Sequence, residues 1–101
     1  MALHGEYKTP GGKLVVVDLE VVDGRLHQVE VSGDFFLEPP EALDDIVAAL
    51  EGASAEADEA ELANLMEQGL REDAALIGFD TRSVAVAVRR AVTDGSPRER
   101  A

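Results

Sequence analysis

Cysteine is absent from this 101-residue chain. Disulfides, thiolate zinc sites, iron–sulfur ligation and thiol catalysis are excluded with it. Lysine occurs only at Lys8 and Lys13, and the aromatic side chains are three Phe and one Tyr. Nine basic residues face 21 acidic ones, for a formal net charge of −12 and a pI near 4.3. That balance counts against nucleic acid, whose phosphate backbone needs clustered cations, and against an anionic membrane surface. No apolar run approaches the ~18 residues of a membrane span. The first residues lack a charged segment followed by an apolar one, so no signal peptide is read and the cytoplasm is the expected location. The acidity also fits a high-salt cytoplasm, where surface carboxylates maintain solubility.

What is present suffices for one domain. The chain is 46% hydrophobic, and folding at this size buries roughly 65% of the surface. A single domain over residues 1–92 is expected, followed by a frayed tail over 93–101 that holds no large apolar residue.

The first half carries strand signals. Val15, Val17, Leu19 and Val21 alternate with Asp18 and Glu20. Asp23-Gly24 follows, a dipeptide suited to a type I′ hairpin turn. The return strand is read from Arg25 to Ser32, with His27, Val29 and Val31 on one face. Phe35-Phe36-Leu37 resumes an extended segment after Gly33-Asp34, and a short strand is read around residues 6–8. The second half carries helical signals. Leu43, Ile46, Val47 and Leu50 form one stripe, and Leu62, Leu65, Met66 and Leu70 a second, within a helix over about 58–71. Residues 75–79 read as an extended connector, and Asp80 or Thr81 caps a third helix carrying Val84, Val88 and Val92. Strands followed by helices predict an α+β domain: a small antiparallel sheet, made of the hairpin plus edge segments, packed by about three helices.

Catalytic chemistry has little to work with. His27 reads as a packed ring and His4 as a solvated one. The carboxylates show no metal-ligand spacing, and no calcium loop is present. Two segments stand out. In Lys8-Thr9-Pro10-Gly11-Gly12-Lys13 both lysines flank a glycine turn, a small positive island on an acidic chain. It is not a P-loop, because Tyr7 and Leu14 occupy the positions that need Gly and Ser or Thr. Two readings stand: Gly11-Gly12 admits an anion closely, or the turn merely leads into a strand. In Ser32-Gly33-Asp34-Phe35-Phe36 the adjacent rings point to opposite faces, so one enters the core and the other is a candidate interface anchor unless a helix or the connector covers it.

At these two segments the chain resembles the small accessory domain of lipoate–protein ligases. That family carries Glu-Tyr-Lys-x-Pro-Gly-Gly-Lys-Leu, matched by Glu6, Tyr7, Lys8, Pro10, Gly11, Gly12, Lys13 and Leu14. It continues with a hairpin and Ser-Gly-Asp-Phe-Phe, matched by Ser32 to Phe36, ahead of Pro39-Pro40. Leu50-Glu51-Gly52 and Ile77-Gly78 also fit, so the resemblance spans residues 5–92. It implies a fold similar to iron–sulfur assembly scaffolds, and a separate subunit rather than a fused domain. The catalytic marker Arg-Arg-x-Ser-Gly-Gly-Gly is absent, since Arg89-Arg90 is followed by Ala91-Val92. The resemblance therefore implies a chain that is non-catalytic and binds no cofactor alone. ATP, with magnesium, and lipoate would be handled in a complex with a catalytic ligase subunit, and lipoyl-domain proteins would be indirect partners. Lys8, Gly11, Gly12 and Lys13 become candidates for phosphate or adenylate contact or for docking. Tyr7, Asp34, Phe35 and Phe36 become candidates for the partner surface. An acidic adaptor without any role in ligation, and a small regulatory or structural protein of a halophilic cell, are the competing expectations.

Overall fold

The computed structural model describes residues 2–93 and the backbone of 96–97. Four strands open the chain: β1 (Ala2–Lys8), β2 (Leu14–Val22), β3 (Arg25–Gly33) and β4 (Phe36–Glu38). Helices α1 (Ala42–Leu50) and α2 (Glu59–Gly69) follow, then β5 (Ala75–Ile77), α3 (Thr81–Thr93) and the two-residue β6 (Ser96–Pro97). The architecture is α+β, as the order of the patterns predicts. The main sheet is antiparallel in the order β3-β2-β1-β6, and β4 and β5 form a separate two-stranded ribbon.

The β2–β3 hairpin follows from its residues. Asp23 and Gly24 take φ of 53° and 76°, the two positive values that a type I′ turn requires. Val15, Val17 and Leu19 are buried on the helix-covered face, each contributing roughly 1.5–3 kcal/mol of apolar transfer. The return strand departs from strict alternation. Asp18 faces Glu30 while Glu20 faces His27, so Gln28 and Val29 together oppose Leu19. This is a β-bulge, with Gln28 at φ 52°. The bulge resets the alternation: Leu26 and Val29 both point inward, and His27 lies exposed on the opposite face instead of beside Val29 and Val31. It also frees the Val29 N–H from the ladder, and that N–H donates to Glu51 Oε2 at 2.7 Å.

Three other expectations are revised. β1 is seven residues long, more than twice the short strand read at residues 6–8, because its central residue is Gly5 and its burial comes from helix contact rather than from alternating side chains. An added Cβ on Gly5 would stand 2.3 Å from the Ala87 carbonyl oxygen and 2.4 Å from the Ala91 nitrogen. Helix α3 therefore crosses the sheet at near-backbone contact, which its buried Ala85, Ala87 and Ala91 permit. The segment at Phe36 does not extend the main sheet but pairs with residues 75–77. In α2 the buried stripe is Leu62 and Met66, while Leu65 turns outward. A capping box closes the start of that helix, with Asp58 accepting from the Glu61 N–H and Glu61 accepting from the Asp58 N–H.

Helix α3 packs on β1 and β2, α1 on β3, and α2 on the two helices. Of the tail expected to fray, Thr93 closes α3 and residues 96–97 pair with β1. Residues 94–95 and 98–101 lie outside the described residues. Among the described residues no helix is long and apolar enough to cross a membrane.

Candidate functional site

Topology brings the two conspicuous segments to one end of the sheet. The β1–β2 turn is built on Thr9, whose side chain is buried although it is polar. Its N–H donates to the Lys13 carbonyl at 2.8 Å, and its carbonyl accepts from the Gly12 N–H at 2.8 Å. Its hydroxyl accepts from the Lys13 N–H at 3.1 Å and donates to the Gly78 carbonyl at 3.3 Å. Gly12 sits at φ 89° with nothing within 4 Å of an added Cβ. The turn is thus open on its outer side and fixed on its inner side.

The β3–β4 joint locks onto the same turn. Asp34 Oδ1 accepts from the Leu14 N–H at 2.6 Å, and the Asp34 N–H donates to the Leu14 carbonyl at 3.2 Å. Gly33 allows this closeness: at φ 151°, an added Cβ would stand 2.0 Å from the Leu14 oxygen. Phe35 turns inward and stacks on Phe79, with centroids 3.9 Å apart and planes at 25°. Phe36 points outward and is 66% exposed. Gly78, between Ile77 and Phe79, leaves room for the Lys13 stem, whose Cγ lies 2.8 Å from where its Cβ would be.

The backbone hydrogen bonds narrow what the glycine turn can do. The N–H groups of Gly12, Lys13 and Leu14 already have acceptors within the chain. In the described structure only the Gly11 N–H of this run is left without one, so the turn is not a ready-made nest of backbone donors. Its charge comes from the lysines. Neither Lys8 nor Lys13 has an ion pair or side-chain hydrogen bond among the described residues. The described arginines differ. Arg25 and Arg89 donate to the carbonyls of Gly52 and Ala55, and Arg71 bridges Asp45 at 2.7 Å. Arg82 stands 3.9 Å from Glu59, and Arg90 donates to the Glu6 carbonyl while lying over the Tyr7 ring.

No family model matches this chain, and no curated protein matches it. A solved structure does. The chain is similar to a chain of an archaeal lipoylation system from Thermoplasma acidophilum, a bi-partite lipoate protein ligase and its E2 lipoyl domain. The TM-score is 0.72 at 21% identity, over 88% of this chain and 96% of that one. The two chains therefore share a fold and nearly a length.

The structure gathers Lys8, Gly11, Gly12, Lys13, Asp34, Phe35 and Phe36 at this end. Asp34 and Phe35 have internal partners, and Tyr7 is covered by Arg90. Phe36 alone of the aromatic pair keeps an outward face. Thr9 and Gly78, which build the turn from its inner side, stand within the quoted motifs but are given no site role from sequence. The signal for Thr9 was faint: a hydroxyl residue just before Pro-Gly-Gly.

Two further features lie apart from the lysine turn. His4 is not simply solvated: Nδ1 is 2.7 Å from Asp18 Oδ1 and Nε2 is 2.6 Å from Glu6 Oε2. These two carboxylates, Glu6 first, raise its pKa above the ordinary 6.5. A cleft of about 530 Å³ opens between α2 and α3, lined by Asp58, Glu59, Ala60, Ala63, Arg82 and Arg89. It shares no residue with the turn. Among the described residues, no group of three or more His, Asp or Glu is placed to hold a metal ion.

Proposed function

We propose that this chain is the accessory subunit of a two-component lipoate–protein ligase and acts with a catalytic chain in forming lipoyl-adenylate. The observation that carries the reading is the fold shared with a chain of an archaeal lipoylation system that contains a bi-partite lipoate protein ligase, over 88% of this chain and 96% of that one. The convergence of both motif segments on two lysines that have no ion pair among the described residues supports it.

The chemistry explains why such a part is useful. In adenylation a lipoate carboxylate oxygen attacks the α-phosphorus of ATP. A new P–O bond forms, the bond to the β-phosphate oxygen breaks, and pyrophosphate leaves with the electron pair. Both reactants are anions, so placed positive charge and exclusion of water lower the barrier. Lys8 and Lys13 supply the charge when the turn closes over the partner's nucleotide, and Gly11-Gly12 keeps side chains out of the approach. ATP, magnesium and lipoate are substrates of the assembled complex. This chain contributes cations and cover, and a lipoyl domain receives the acyl group afterwards.

The test is lipoate-dependent pyrophosphate release by the catalytic chain, with and without this protein. A rise on addition is expected. Lys13→Met and Lys8→Met are expected to cut it by about tenfold or more at saturating subunit. Equal rates with and without the protein overturn the reading. Equal rates for both lysine variants overturn the charge role and leave the turn as a docking element.

A further inference from the structure

The ribbon of β4 and β5 carries a feature that the lysine turn does not explain. Phe36 and Ile77 are directly opposite one another on its outward face. They are 66% and 51% exposed, the two most exposed large apolar side chains among the described residues. The reverse face explains why the ribbon holds its shape. Leu37 and Leu76 pair inward, and Phe35 and Phe79, next to the two strands, stack on each other. The outward row is therefore a preformed apolar step rather than a loose loop.

Its flanks carry opposite charges. At the Ile77 end, Gly78 seats the Lys13 stem. At the other end, Glu38 faces Ala75, and Asp73 joins them in a shallow groove of about 470 Å³ with Leu37, Pro39 and Pro40. Cation, apolar pair and carboxylates thus follow one another along a single edge.

We infer that the Phe36–Ile77 row is a docking anchor for a protein partner that offers an apolar pocket, acidic on the Lys13 side and basic on the Glu38 side. Resting on the function proposed above, that partner is the catalytic chain of the ligase. Net charge, rather than the layout of the edge, selects it over a second copy, since a twofold mate would itself set Lys13 against Glu38 and Asp73. A twofold pairing on this row would bring together two chains of net charge −12, whose mutual repulsion opposes association. The polarity of the edge also fixes orientation, since a reversed partner would meet like charges at both ends. Ile77 thereby joins the candidate residues on exposure and register alone.

The experiment measures association of this chain with the separately purified catalytic chain, together with pyrophosphate release at rising subunit concentration. Phe36→Ser and Ile77→Ser are each expected to weaken Kd by about tenfold, and the double variant by about a hundredfold. At saturation the double variant is expected to restore the wild-type rate, because docking and chemistry separate. Leu65→Gln, which removes another exposed apolar side chain, is the control and leaves Kd unchanged. Melting curves exclude misfolding as the cause. A double variant that binds within twofold of wild type overturns the inference, as does a rate that stays low at saturation with an unchanged Kd. A wild-type chain that is itself a dimer, made monomeric by Phe36→Ser, overturns the choice of partner. Wild type failing to bind the catalytic chain overturns the proposed function as well, so the two failures are distinguishable.

Discussion

Replacing Asp34 by Ala tests whether this residue clamps the lysine turn. Asp34 and Leu14 exchange two hydrogen bonds, and the shorter, at 2.6 Å, runs from the Leu14 N–H to the carboxylate. A hydrogen bond to a charged acceptor contributes about 1.5–3 kcal/mol where it is desolvated. Asp34 is exposed, so solvent screening reduces the expected loss to about 1–1.5 kcal/mol. For a domain of this size that corresponds to a fall in Tm of roughly 4–12 °C. Asp34→Asn keeps a carbonyl acceptor without the charge and should lose about half as much. Urea and thermal melts give the stability, and hydrogen exchange at the Leu14 amide reports the bond itself. Faster exchange at Leu14 in Asp34→Ala, with protection retained in the middle of β2, is the expected pattern. A variant within about 0.5 kcal/mol of wild type, with Leu14 protected as before, would refute the clamp.

Gly5→Ala should destabilise the chain by about 3 kcal/mol or more, because its Cβ meets α3 backbone at 2.3–2.4 Å and the helix must retreat; a Tm within two or so degrees of wild type would contradict this packing. His4 predicts a pH dependence whose sign follows from its raised pKa. The protonated ring between Glu6 and Asp18 stabilises the fold fully below about pH 6.5, and that contribution is lost as pH rises through the raised folded value. Tm should therefore fall over this window in wild type and much less in His4→Gln, and parallel curves would show that the pair contributes nothing. Incubation with the catalytic chain, ATP and lipoate should leave the intact mass of this chain unchanged. A lipoyl increment on Lys8 or Lys13 would make it an acceptor instead of an accessory part.

Local patterns carried much of this architecture. The alternation at Val15, Val17 and Leu19 and the Asp23-Gly24 dipeptide specify a hairpin without tertiary help. The stripe at Leu43, Ile46, Val47 and Leu50 does the same for a helix. The bulge was not legible, because Gln28 is not a residue type that announces positive φ. The error it caused at His27 followed directly from counting by twos. The ribbon was not legible either, since three-residue strands show no period and their pairing is non-local. The candidate site divides the same way. Pro10-Gly11-Gly12-Lys13 and Gly33-Asp34-Phe35-Phe36 are visible as motifs, but their meeting depends on contacts such as Thr9 with Gly78, 69 residues apart. The outward step at Phe36 needed Ile77 beside it, which only the ribbon supplies.

The role proposed for this chain is the activation of lipoate and not its delivery. It is tested most directly by comparing two reactions of the catalytic chain, one started from lipoate and ATP and one from chemically prepared lipoyl-adenylate. Both are read as lipoyl transfer to a lipoyl domain, with and without this protein. The first is expected to depend on this chain and the second to proceed without it. Equal dependence of both reactions, or of neither, would contradict it.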